Sequence, residues 1–233
     1  MNTTPPSPRR PLTERRKAAT RLEIARAAAE LFTERGPDGT SAEDIADRAG
    51  VALRTFYRYF RNKQEAVGPL LAVGAERWLA LLAAASPGSS LPETLERTLT
   101  EALAVPEDGT AGVTHRTRAL LRAVVRDPAL RPVWYRVNQE SEERLVPVLA
   151  GLAGPGADPL EVRLAAAVAV DALRIGTEVW AESEPPPGTA GTGAGSPAGP
   201  AVRCLRGLSG GLPTLAAMRS PAERAWQSTP VTR

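Results

Sequence analysis

Residues 20–63 read TRLEIARAAAELFTERGPDGTSAEDIADRAGVALRTFYRYFRNK, three short helical patterns separated by Gly-bearing turns and closed by a basic, aromatic run. Thr20 followed by Glu23 predicts a capping box at the start of a first helix, since each side chain can satisfy a backbone N–H there. Ile24, Ala28, Leu31 and Phe32 fall on one face of that helix. Gly36, Pro37 and Gly39 stop it and turn the chain. Thr40 with Glu43 predicts a second box, opening a helix whose apolar positions are Ile45, Ala46 and Ala49, and Gly50 ends it.

After the turn at Gly50 and Val51 comes LRTFYRYF. Phe56 and Phe60, four apart, share one face, while Arg54, Thr55, Arg58 and Tyr59 spread over the others. Two helices joined by a tight turn, the second bearing polar and basic side chains, form the pattern of a helix-turn-helix whose second helix enters the major groove. The order of elements, the AGV turn, the TFYRYF run and the closing NKQEA resemble the N-terminal domain of TetR-family (TetR/AcrR-like) transcriptional regulators, over about a fifth of the chain.

Phe32, Phe56 and Phe60 read as core by their burial preference. Tyr57 and Tyr59, flanking Arg58, can bury a ring and offer a hydroxyl to a phosphate. Arg54 suits a guanine edge read bidentately, and Thr55 a thymine methyl or a phosphate. The resemblance adds Lys63 as a phosphate-clamping lysine. Thr40 and Ser41 open the preceding helix, where free N–H groups and the dipole favour a phosphate. Two departures stand out. Ala52 replaces the frequent Ser or Thr, so the recognition helix lacks a side-chain N-cap, a loss on the order of 1 kcal/mol. Leu53 replaces a more usual polar residue or proline, and this DNA-facing position then leaves base reading to Arg54 and Thr55.

Charge is uneven. Residues 1–65 carry 13 Lys and Arg against 9 Asp and Glu, a net +4, and the remainder is −1. Residues 1–19 read as a basic flexible arm, densest at RRPLTERRK (9–17), which either follows phosphates and the minor groove or stays a solvated tail. A reading head over 20–66 and a larger helical ligand-binding and dimerisation domain over 67–228 complete an all-α organisation of 233 residues.

Val67, Leu70, Leu71, Gly74, Trp78, Leu81 and Leu82 predict a long amphipathic helix running on from the head. Further helices are expected at 91–104, 115–126, 130–150 and 160–182, with Pro92 in a first turn and Pro128 and Pro132 at a break and restart. Segment 162–180 is apolar around much of its circumference and needs cover on more than one side. The resemblance makes it the penultimate helix, part of a homodimer's four-helix bundle. Residues 185–200 hold five Pro and five Gly and read as a flexible connector. Val202, Leu205, Leu208, Leu212 and Leu215 then resume a helical period broken by Gly207, Gly210, Gly211 and Pro213.

The resemblance implies a small-molecule inducer in the second domain, and Trp78, His115, Trp134, Tyr135 and Asn138 are its candidate contacts, as aromatic walls with a few polar groups. A homodimer would read a palindromic double-stranded DNA operator. One His and one Cys provide no metal cluster, no nucleophile–base pair and no phosphate loop, so no enzyme, metal or cofactor is expected. No secretory signal is read, the apolar run Leu164–Leu173 is too short for a bilayer, and lone Cys204 fits a cytoplasmic protein. A helical protein-interaction module, or a DNA-binding protein indifferent to sequence, are the competing classes.

Overall fold

A computed structural model describes residues 12–86, 90–104, 111–183 and 196–209, with no account of the side chains of 111–114, 208 and 209. Every regular element among them is helical. The chain divides into two compact units between Leu70 and Leu71.

The first unit holds α1 (Leu12–Arg35), α2 (Ala42–Arg48), α3 (Leu53–Tyr59) and a 3-10 segment, Gln64–Val67. Its core holds the expected Ile24, Ala28, Leu31 and Phe32 of α1 with Ile45, Ala46, Phe56 and Phe60, and adds Ala66 and Val67 of the 3-10 segment, while Ala49 is only half-buried. The helix starts differ from expectation. α1 begins at Leu12, so residues 12–19 are helix rather than arm, and Thr20 lies in its interior. Nothing in LTERRKAA breaks a helix, Glu14 and Lys17 pair across one turn at 2.8 Å, and Glu23 pairs with Arg26 at 2.5 Å instead of capping. Residues 1–11 lie outside the described residues.

At α2 the capping box is one residue later than expected. Ser41 Oγ accepts from the Asp44 N–H (3.0 Å) while Asp44 Oδ2 accepts from the Ser41 N–H (2.8 Å). Thr40 is unavailable for it, being buried with its hydroxyl donated to the Gly36 carbonyl at 2.9 Å. Gly36 (φ +75°) and Gly50 (φ +65°) take the left-handed backbone that ends α1 and α2.

The second unit holds most of α4 (Gly68–Ala83), then α5 (Leu91–Leu103), α6 (Ala111–Arg126), α7 (Arg131–Ala153), α8 (Pro159–Glu182) and α9 (Ala198–Ser209). Pro92 and Pro132 sit in first turns, as their missing N–H groups favour. Gln64–Ala83 is long and apolar enough, by length and composition, to cross a bilayer, a stretch hidden by seeking unbroken apolar runs. Its Ala66 and Val67 are buried in the first unit and its Trp78 and Leu82 in the second, as for a helix lining protein cores.

α8 is central to its unit. It packs against α6, α7 and α9, and buries residues from Val162 to Ala181. A Cβ on Gly176 would fall on the backbone of Ala201, so α8 and α9 touch main chain to main chain. Of the expected connector, 185–195 lies outside the described residues. Its last part is not connector: Ser196 donates to the Leu103 carbonyl at 3.0 Å and residues 198–200 open α9. Leu212 and Leu215 also lie outside.

Candidate nucleic-acid interface

α3 starts without a side-chain cap at Ala52, as expected. Its register is set by Phe56, fully buried, and by Phe60 just past its end, the two rings 5.7 Å apart. With that face committed inward, Arg54, Tyr57 and Arg58, at i, i+3 and i+4, are exposed together on the other side. Tyr57 is 55% exposed, its ring held edge-on to Phe56 at 5.3 Å with its outer end free. Arg58 lies over the Tyr59 ring at 5.2 Å. Leu53, Thr55 and Tyr59 are half-buried.

Neither Arg54 nor Arg58 has a carboxylate partner among the described residues, whereas Arg61 just beyond the helix, which sequence reasoning passed over, donates its backbone N–H to Glu65 Oε2 at 3.3 Å. Its position one turn past Arg58 was the available signal. Lys17, Arg26 and Arg48 of the same unit are each paired with a carboxylate. Arg48 bridges Glu34 (3.1 Å) and Glu30 (3.5 Å), tying α2 to α1, and the hydrogen bond from Arg48 holds the Glu34 carboxyl below its ordinary range.

Thr40 and Ser41 are used internally. The Thr40 hydroxyl is buried and already taken by the Gly36 carbonyl, whereas the phosphate expected here was assigned to free N–H groups at the start of α2. Ser41 is exposed, but its hydroxyl donates to Asp44 Oδ2 at 2.6 Å, and that bond is the main reason the Asp44 carboxyl titrates below its ordinary range. Lys63 is half-buried and donates to the Thr40 carbonyl at 2.8 Å.

The five residues expected around an inducer fall in different places. Trp78 lies in the core, its Nε1–H donated to Thr98 Oγ1 at 2.9 Å. Trp134 and Asn138 share the inward face of α7, where Trp134 Nε1–H donates to Glu178 Oε1 (2.7 Å) and Asn138 Nδ2–H to the Trp134 carbonyl (2.8 Å). Tyr135 and His115 are exposed and do not line an interior. Position 135 is a helical step round from 134 and is turned outward, where Arg174 approaches its ring at 5.9 Å. No group of three or more His, Cys, Asp or Glu suited to a metal occurs among the described residues.

A small helical unit with an anchored second helix and an outward, unpaired basic face defines a helix-turn-helix protein. The family model described as "Bacterial regulatory proteins, tetR family" matches residues 24–67, and the chain belongs to that family. It is similar to the HTH-type transcriptional regulator TcmR of Streptomyces glaucescens, 32% identical over 152 residues, covering 63% of this chain and 66% of the relative. It also resembles an HTH-type transcriptional repressor of Mycobacterium tuberculosis, 38% identical over 93 residues, 38% of this chain and 50% of that one. The chain thus aligns with about half to two-thirds of the length of these relatives. The fold is shared with the TetR family repressor AlkX from Dietzia sp. strain DQ12-45-1b (TM-score 0.54, 21% identity, 86% of this chain and 99% of that one).

Proposed function

We propose that the chain is a sequence-specific, DNA-binding transcriptional regulator that acts in the cytoplasm as a homodimeric repressor and leaves a palindromic operator when a small molecule binds its second domain. The observation that carries this reading is the face of α3 bearing Arg54, Tyr57 and Arg58, turned outward by buried Phe56 and free of carboxylates among the described residues. Arg54, in the first turn, is placed to read a base edge, and Tyr57, Arg58 and Tyr59 to hold phosphates. Leu53 and Thr55, half-buried beside Arg54, would meet apolar base edges or the backbone. The names of the relatives, a regulator and a repressor, support the same reading.

Dimerisation is supported by α8, which is covered within its own unit yet leaves Leu160, Leu164 and Val179 exposed. A two-fold pair of heads reads half-sites about one turn of DNA apart. Release by a ligand is supported by α4, within which the two units divide, so that the second unit continues the same helix as the first. A ligand that prefers the DNA-incompetent state lowers operator affinity by its differential affinity for the two states. Trp134 and Asn138, inward on α7, remain the best-placed of the expected contacts. The test is retention of sheared genomic DNA by the purified chain against random competitor, followed by sequencing. Recovery of palindromic sites supports the reading, and one-sided, non-repeating sites would remove the dimeric operator from it.

A further inference from the structure

Lys63 lies beyond the end of α3, yet its ammonium donates at 2.8 Å to the carbonyl of Thr40, 23 positions earlier and immediately ahead of the N-cap of α2. We propose that Lys63 is a positioning residue of the reading head, a strap that fixes the start of α2 against the end of α3 before DNA arrives. The inference rests on the DNA-reading role proposed above and goes beyond it in giving this lysine an internal task.

Three features carry it. The gripped residue is itself anchored, since Thr40 is buried and its hydroxyl is bonded to the Gly36 carbonyl at 2.9 Å. Whatever holds the Thr40 carbonyl therefore holds the corner between α1 and α2. Next, the near ends of α2 and α3 are linked by the Gly50 turn, where the Val51 N–H donates to the Ala46 carbonyl at 2.9 Å and closes the end of α2. Lys63 supplies a further tie at the far side, added to the packing of Ile45 and Ala46 with Phe56 and to the Arg48 bridges that hold α2 on α1. Finally, α3 has no side-chain cap at Ala52, so its placement depends on packing and on such ties. A charged donor to a carbonyl is among the stronger hydrogen bonds, and a half-buried one is shielded from competing water.

The test compares Lys63→Met, which keeps the apolar stem without the donor, with Lys63→Arg, which keeps a donor, in the full chain. In DNA-free protein, amide exchange in α2 at Ile45 and Ala46 should run about fivefold to tenfold faster in Lys63→Met while amides in α1 change little, and Lys63→Arg should restore it. On a mixed-sequence duplex, Lys63→Met should bind more weakly with its dependence on salt nearly unchanged. Unchanged α2 exchange, with a salt slope reduced by about one unit, would assign Lys63 to a phosphate instead and overturn the strap. Should Lys63→Met unfold the head, Lys63→Gln, a neutral donor, is read by the same exchange criterion. Failure of the unaltered chain to bind any duplex would sink the proposed function, while the DNA-free exchange would still decide the strap.

Discussion

Arg54 and Phe56 are two residues apart and do opposite work. Arg54 is exposed and unpaired, so Arg54→Ala should leave stability nearly unchanged. It should reduce discrimination against a single altered base pair by about 1–3 kcal/mol. Competition between the operator and base-substituted operators measures it, and equal losses on operator and random DNA would contradict the assigned role. Phe56→Ala should instead cost about 3–5 kcal/mol of stability in denaturant unfolding, because a fully buried ring leaves a cavity. Ala52→Ser offers a gain. The N-cap lacks a side-chain acceptor, and supplying one should stabilise α3 by about 0.5–2 kcal/mol, readable as slower amide exchange at its first turn.

At the scale of elements, helix ends matter most. In α2 the Ser41–Asp44 box keeps the Asp44 carboxyl depressed, so the native state favours the ionised form. Its stabilisation is present above the ordinary carboxylate range, about pH 4 and upward, and is lost as pH falls through and below that range. Urea midpoints of the unaltered chain and Asp44→Asn should accordingly converge toward pH 3 and separate toward pH 7. At the other end of the molecule's chain, α8 is capped by arginines from α6. Arg118 donates to the Ser183 carbonyl at 2.6 Å and lies 4.4 Å over the Trp180 ring, and Arg122 donates to the carbonyls of Ala181 and Ser183. Burial, with Arg122 alongside, pushes the Arg118 guanidinium below its ordinary range. The negative end of the α8 dipole favours a cation at this place. Gly176 is a sharper constraint still. Gly176→Ala should destabilise by more than the 1–3 kcal/mol typical of overpacking, because its Cβ meets the Ala201 backbone, whereas Gly74→Ala meets only the flexible end of Leu103 at 3.4 Å.

These elements also show what the sequence reveals. Helical periodicity located α5 through α8 closely, because burial enforces a spacing that residue types display directly. Helix starts were less legible. Thr20 and Thr40 both satisfy a local capping pattern, but Thr20 lies within a longer helix and Thr40 is drawn into the core corner at Gly36. The outward set Arg54, Tyr57 and Arg58 was readable once Phe56 and Phe60 were assigned inward. The strap from Lys63 to Thr40 was not, because a contact across 23 positions leaves no periodic trace.

For the whole molecule, the central claim is that one unit reads DNA sequence and the other, carrying α4 onward, responds to a ligand and pairs two heads. The most direct measurement is to sequence the genomic DNA that the purified chain retains against excess random competitor at moderate salt. The account predicts a few palindromic sites with half-sites about one turn apart, lost when Arg54 is replaced by Ala. Uniform retention across sequences, or none, would contradict it.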